Sequence, residues 1–261
     1  MKEIQRQCKV IVLAFAPCTP RFDLIDSAFR KTGEAGCTGL RRLEPSRYPG
    51  AMPPMTEWII RIPVLLFAVT IHEYSHGKAA LSLGDPTARN AGRLTLNPLP
   101  HVDPLGALCL FLFKFGWARP VPVDVRYFKN PKRDTILMSL SGPMANLAAA
   151  FTAGLFFRYL LMPSELYMYV LIDMILINVG LGVFNLLPIP PLDGSHVLEN
   201  VLPPRAALTF RRAGRYAPLV LIGIILLDQY AHLNILGRVL GTPIRYLACL
   251  FGGPNFCSLF G

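Results

Sequence analysis

Two histidines four positions apart, His72 and His76, stand with Glu73 in a stretch that reads as apolar from Trp58 and continues as helix to about Leu83. A helix places positions i and i+4 on one face, a turn apart. Two imidazole nitrogens so placed can reach a single Zn²⁺ at about 2.0–2.1 Å. The carboxylate next to the first histidine then lies beside the metal rather than on it, where it can take a proton from water the metal has activated. The same His-Glu-x-x-His pattern also arises by chance on helices whose histidines are only hydrogen-bonded. An apolar helix argues against chance, because a charge near the bilayer centre costs about 2.5–3.5 kcal/mol or more and unpartnered polar groups are costly in hydrocarbon.

A catalytic zinc site needs a third protein ligand and an open position. The best candidate is Asp193, in the run Asn185-Leu-Leu-Pro-Ile-Pro-Pro-Leu-Asp193-Gly194. Its prolines break regular backbone, which membranes tolerate where it is buried in protein or lines a wet cavity. Taken alone, Asp193 reads better as an interfacial loop aspartate in a Pro-Asp-Gly-like turn.

The elements that must carry these residues follow from hydropathy. The chain has 261 residues, 52% hydrophobic and 16% charged, and its apolar residues collect into runs long enough to cross a bilayer. Ile136–Phe157 has no charged side chain and Leu166–Leu192 has only Asp173. Those runs exclude an ordinary soluble globule, a disordered chain and a disulfide-stapled miniprotein. Tyr216–Leu227, extended by its flanks, reads as a further span, and Ile235–Phe251 as a span or an interfacial helix because Arg238 and Arg245 share a face. Leu105–Phe113 is too short to cross and reads as re-entrant or interfacial, and Gly92–Leu96 as a short β-hairpin. The expected fold is an all-α polytopic membrane protein of about five transmembrane helices, with that re-entrant segment and hairpin.

The formal charge of +10 comes from 26 Lys and Arg against 16 Asp and Glu. Its location argues for membrane topology and against a nucleic-acid partner. Arg119, Arg126, Lys129, Lys132 and Arg133 precede the first clean apolar run, Arg205, Arg211, Arg212 and Arg215 follow the second, and Met162–Glu165 between them has neither Lys nor Arg. That is the positive-inside pattern, with both basic loops cytoplasmic. The six cysteines show no Cys-x-x-Cys pair and read as buried or free thiols. Residues 1–51 differ in composition from the rest and read either as a cytoplasmic or interfacial extension or, the preferred reading, as sequence outside the native chain, with translation starting at Met52 or Met55. Residues 52–261 form the membrane domain, with its core at 57–194.

Two separated motifs in order, His72-Glu-Tyr-Ser-His76 in an apolar helix and Asn185…Pro188…Leu192-Asp193-Gly194 after a later one, resemble the site-2 proteases, a family of intramembrane zinc metalloproteases. Gly84-Asp85-Pro86-Thr87-Ala88, Gly92-Arg-Leu-Thr-Leu-Asn97-Pro98, His101-Val-Asp103-Pro104, Phe115-Gly-Trp-Ala-Arg-Pro120-Val-Pro122 and Ser141-Gly142-Pro143-Met-Ala-Asn146 add to the resemblance. It is to the compact bacterial branch, without soluble regulatory modules. The resemblance implies one Zn²⁺ held by His72, His76 and Asp193, Glu73 as general base and later proton donor, and Asn185 as support for substrate or the developing oxyanion. Asn146 is expected to join helices by hydrogen bonds. His101, His196 and His232 are given no role.

The expected activity is zinc-dependent endopeptidase cleavage in or near transmembrane segments of other membrane proteins. The expected location is the inner, cytoplasmic membrane, multi-pass in the lipid bilayer, with the active site toward the cytoplasmic side. Control would come from the membrane core or a regulatory membrane partner. The rival readings are a membrane metal carrier or sensor and an inactive scaffold using the same ligands. Glu73 discriminates against the carrier, which needs no carboxylate beside its metal.

Overall fold

The computed structural model describes residues 54–113, 115–160, 164–231 and 235–260. The extension at 1–51 and His232 lie outside the described residues. The helices are α1 (Pro54–Ser82), α2 (Thr87–Asn90), α3 (Pro104–Phe113), α4 (Pro131–Tyr159), α5 (Glu165–Asn185), α6 (Asp193–Val201), α7 (Pro204–Gly214), α8 (Ala217–Tyr230), α9 (Ile235–Gly252) and α10 (Pro254–Cys257). Among the described residues, four are long and apolar enough to cross a membrane: α1 from Trp58, α4, α5 from Leu166, and α9.

Among the described residues the protein is thus polytopic and all-α, with one span fewer than expected. The 14 residues of α8 reach about 21 Å, short of a hydrocarbon layer of about 30 Å. Its helix stops at the caps Tyr216 and Ala231. The segment expected to be the weaker span, α9, is the one of crossing length.

Length also sets α3 apart, since its ten residues extend about 15 Å. The chain doubles back along it: Val102 and Ala118 form an isolated antiparallel bridge, and a Cβ on Gly106 would overlap the Trp117 carbonyl. Leu105, Leu108, Phe111 and Leu112 remain exposed on this short helix.

No strand occurs among the described residues, so the hairpin expected at Gly92–Leu96 is not formed. Gly92, at φ 66°, closes α2 instead. Its amide donates to Arg89 O at 3.0 Å and the next amide, of Arg93, to Ala88 O at 2.9 Å, the paired bonds of a Schellman helix end. The glycine signal was real and belonged to a helix terminus.

At the centre of the bundle, α4 packs against α1, α5, α6 and α9. One apolar cluster joins α4, α5, α8 and α9 through Ala150, Ile175, Ile225 and Ala248, and a second joins α1 to α5 through Val64, Ala68, Ile177 and Leu181. The reading of Trp58–Ile71 as apolar passes over Arg61. The structure pairs it with Asp173 of α5 at 3.5 Å, so the two intramembrane charges answer each other. The reading of all cysteines as thiols is also corrected: Cys249 and Cys257 form a disulfide, while Cys109 is free. Cysteines at the end of α9 and in α10 face each other because the chain reverses at Gly253, a turn the sequence spacing does not announce.

Candidate metal centre

One face of α1 turns inward to α4 and α5, and this face carries the histidines. His72, Glu73 and His76 are each at most 1% exposed. Asp193 arrives from the other side of the bundle. After α5 ends at Asn185, residues 186–192 fold back so that Asp193 becomes the first residue of α6. The fold-back depends on Gly194, where a Cβ would overlap the Leu186 carbonyl.

Three ligand atoms converge. His72 Nε2 lies 3.0 Å from Asp193 Oδ2, His76 Nε2 lies 3.2 Å from the same oxygen, and the two Nε2 atoms are 3.0 Å apart. Three ligands of a tetrahedral ion at about 2.0–2.1 Å stand about 3.3 Å from one another, so the triangle has the size of a zinc site. His72, His76 and Asp193 are the one such metal-capable group among the described residues.

The hydrogen bonds behind the triangle decide what it can hold. His76 Nδ1 faces the Met138 carbonyl at 2.8 Å, an acceptor only, so Nδ1 carries a proton. His72 Nδ1 faces Asn146 Oδ1 at 2.6 Å, while the Asn146 amide nitrogen donates to Ala68 O and Asn178 Oδ1, both at 2.9 Å. That orientation makes His72 Nδ1 a donor too. In neutral imidazoles both Nε2 atoms then present lone pairs, to each other and to a carboxylate oxygen. A proton satisfies one such contact well, whereas a divalent cation satisfies all three. The residues present therefore fit a bound metal.

From α4 the backbone presses against the same atoms, and a Cβ on Gly142 would overlap Nε2 of His76 and crowd Nε2 of His72. Glu73 stands beside the triangle with its carboxylate split in function. Oε2 accepts from the Val121 amide at 2.8 Å, and Oε1 is buried without a partner. Val121 lies between Pro120 and Pro122, so its N–H is the sole backbone donor of that triplet.

Two braces hold the strap that carries Val121. Asp85 Oδ2 accepts from the Asp124 amide at 2.8 Å, and Arg93 Nη2 donates to the Arg119 carbonyl at 2.7 Å. Burial first, then the charge of Arg119, holds the Arg93 pKa below the ordinary arginine value, and Glu73 pulls it the other way. Beyond the strap, Asp124 is held below the usual carboxylate range chiefly by its bond from Arg126.

The pattern of peptidase family M50 matches residues 162–227, a segment that contains α5 and Asp193. The chain is 38% identical over 198 residues to "Putative zinc metalloprotease YwhC" of Bacillus subtilis, covering 72% of this chain and 90% of the relative. The chain belongs to peptidase family M50. It is also 28% identical over 213 residues to "Putative zinc metalloprotease Rip2" of Mycolicibacterium smegmatis, covering 80% of each, and 30% identical over 190 residues to the Rip2 of Mycobacterium tuberculosis H37Rv, covering 70% of this chain and 71% of that one. No solved structure matches it.

As an M50 protein, the chain sets its His/His/Asp triad among membrane-length helices. Asn185, expected near substrate, is buried and donates its amide to Leu181 O at 2.9 Å within its own helix. His101 serves the strap, with Nε2 against Thr95 O at 2.9 Å and its carbonyl accepting from the Arg119 amide at the same distance. Sequence reasoning passed over three contributors to this M50 site. Met138 and Val121 act through backbone atoms, which no side-chain motif reveals. Asn178 had a signal, an amide in the middle of an apolar span.

Proposed function

We propose that the chain is a zinc-dependent endopeptidase that hydrolyses peptide bonds in or beside transmembrane segments of other membrane proteins. His72, His76 and Asp193 hold one Zn²⁺, Glu73 is the general base, and Asn185 supports the substrate. The observation that carries this reading is the convergence of three buried lone-pair donors beside a carboxylate oxygen, Glu73 Oε1, that has no partner.

Zinc supplies Lewis acidity, polarising a carbonyl and acidifying water. The chain's own residues do the rest. Asn146 and the Met138 carbonyl orient the two imidazoles so that both Nε2 atoms face inward. The Val121 amide fixes Glu73 by Oε2, which leaves Oε1 to take the proton of the attacking water and return it to the leaving amine as the C–N bond breaks. The walls of α4 and α5 exclude bulk water. Asn185 reaches a substrate once its amide lets go of the Leu181 carbonyl. A substrate helix must unwind locally to expose a carbonyl, so helix-breaking residues near the cleaved bond are favoured.

The same proposal sets the protein in the cytoplasmic membrane, with the metal nearer the cytoplasmic surface. Basic loops flank α4 and α5 at the ends nearest the triad, in keeping with the positive-inside rule. The disulfide supports the same orientation from the far end. Phe157, toward the end of α4, meets Phe256 beside Cys257, whereas the metal-side contacts of α4 lie at Met138 and Gly142. A disulfide at that end belongs in an oxidising compartment.

The test is cleavage of single-span membrane proteins by the purified, zinc-loaded enzyme, against Glu73→Gln and a chelator-treated control. Cleavage that survives both controls would refute the reading.

A further inference from the structure

The least covered span is α9: 22% of its apolar window is buried, against 39–50% in the other three. Its open side, with Leu176 of α5, walls a groove of about 780 Å³ lined also by Gly237, Arg238, Gly241, Arg245 and Tyr246. Arg238 and Arg245 are exposed, and neither forms an ion pair or hydrogen bond among the described residues. They lie seven residues apart, two helical turns or about 10.5 Å along one face.

Depth makes the two charges informative. At its C-terminal end α9 meets the C-terminal end of α4, with Phe251 stacked edge-on against Phe151 at 5.6 Å and Arg158 donating to the Leu250 carbonyl. The two helices therefore rise in the same direction. Counting back from Phe251 at about 1.5 Å per residue brings Arg245 level with Asn146, midway along α4, and Arg238 about two turns nearer the metal-side surface. Leu176, at the middle of the Leu166–Asn185 span, lines the same groove. An arginine at mid-bilayer depth is costly and calls for an acidic partner.

We propose that this groove docks a transmembrane helix of a different membrane protein, one that presents a carboxylate to Arg245 at mid-depth and a second acceptor to Arg238 two turns away. Lipid phosphates lie at the interface, about 15 Å from the bilayer centre, which is too far for Arg245. A second copy joined about a two-fold axis would set the same arginines against each other. Small residues let a partner backbone come close, and a Cβ on Gly241 would meet nothing within 4 Å. The groove faces away from α1, with α4 and α5 between it and the metal, so it is a docking surface separate from the cleavage site and independent of the peptidase reading.

The test uses the full chain carrying Glu73→Gln, labelled and diluted in phosphatidylcholine vesicles. Energy transfer is read to a labelled Leu/Ala single-span peptide of about 22 residues with two Asp seven apart, or with Asn at both places. The Asp peptide is expected to bind about tenfold more tightly. Arg238→Ala with Arg245→Ala removes that preference, the double change to Lys keeps it, and Gly241→Leu weakens binding by filling the groove. Equal binding of the two peptides, or an Asp preference that persists in the double Ala variant, overturns the proposal. So does loss of the preference when phosphatidylglycerol is added, with that lipid retained by the parent chain and not by the double Ala variant, which would assign the groove to anionic lipid.

Discussion

Asn146 Oδ1 accepts the Nδ1 proton of His72 at 2.6 Å, and the same amide donates to Ala68 O and Asn178 Oδ1. One side chain of α4 thus fixes a candidate ligand on α1, the backbone of that helix one turn earlier, and an amide on α5. The helix-joining role expected for Asn146 and the orientation of the metal site are one network. Because the donated bonds fix which end of the amide faces the ring, they also set the imidazole tautomer that turns the Nε2 lone pair inward.

Replacing Asn146 with Ala is expected to weaken zinc binding by about 10–100-fold, the usual cost of losing a partner behind a metal-bound histidine. Competition against a chromophoric chelator measures it. Asn178→Ala should cost less, because Asn146 keeps its bond to Ala68. Unchanged zinc affinity in Asn146→Ala would separate helix joining from ligand orientation.

Glu73→Gln should leave zinc content intact and abolish cleavage, by a factor of about 10² or more for a general base. The amide keeps an oxygen to accept from Val121 but cannot take up a proton at the other end. Zinc loss in this variant would make Glu73 a ligand instead and would remove it from the proton path.

How far the site was legible depended on what carried each part. The His72/His76 pair was readable because helical periodicity alone puts i and i+4 together, and Asp193 because a second motif followed at a helix end. What the sequence hid travels through backbone: the Met138 carbonyl, the Val121 N–H, and the reversal at Gly253 that brings Cys257 to Cys249. The spans from Ile136 and Leu166 were legible because hydrocarbon tolerates only long apolar helices. The assignment failed where length was marginal. It made α8 a span on composition, although its helix stops at 14 residues, and it read Gly92 as a hairpin signal when a left-handed glycine serves a helix end equally well.

Gly142→Ala tests how closely α4 is fitted to the metal. In an exposed helix this change stabilises by about 1 kcal/mol. Here the added Cβ overlaps His76 Nε2 and crowds His72 Nε2, so the expected outcome is reversed: loss of most bound zinc and a lower melting temperature of the zinc-loaded protein. Metal analysis beside thermal unfolding checks both. A variant that keeps its zinc and gains stability would show that α4 can yield at this point.

The disulfide makes the orientation measurable without any activity. If the metal lies toward the cytoplasm, the far end of α4 lies outside, and with it Phe256, which packs on Phe157, and the Cys249–Cys257 pair. After mild reduction of intact cells, a membrane-impermeant maleimide should label these two cysteines, and Cys249→Ser with Cys257→Ser should remove the signal. With Cys8, Cys18 and Cys37 changed to Ser, the one other cysteine is Cys109, assigned to the metal side with α3, and it should stay unlabelled until the membrane is opened. Labelling of the pair only in opened membranes would invert the topology. It would also set the basic loops around α4 and α5 outside, against the charge rule that first oriented the chain.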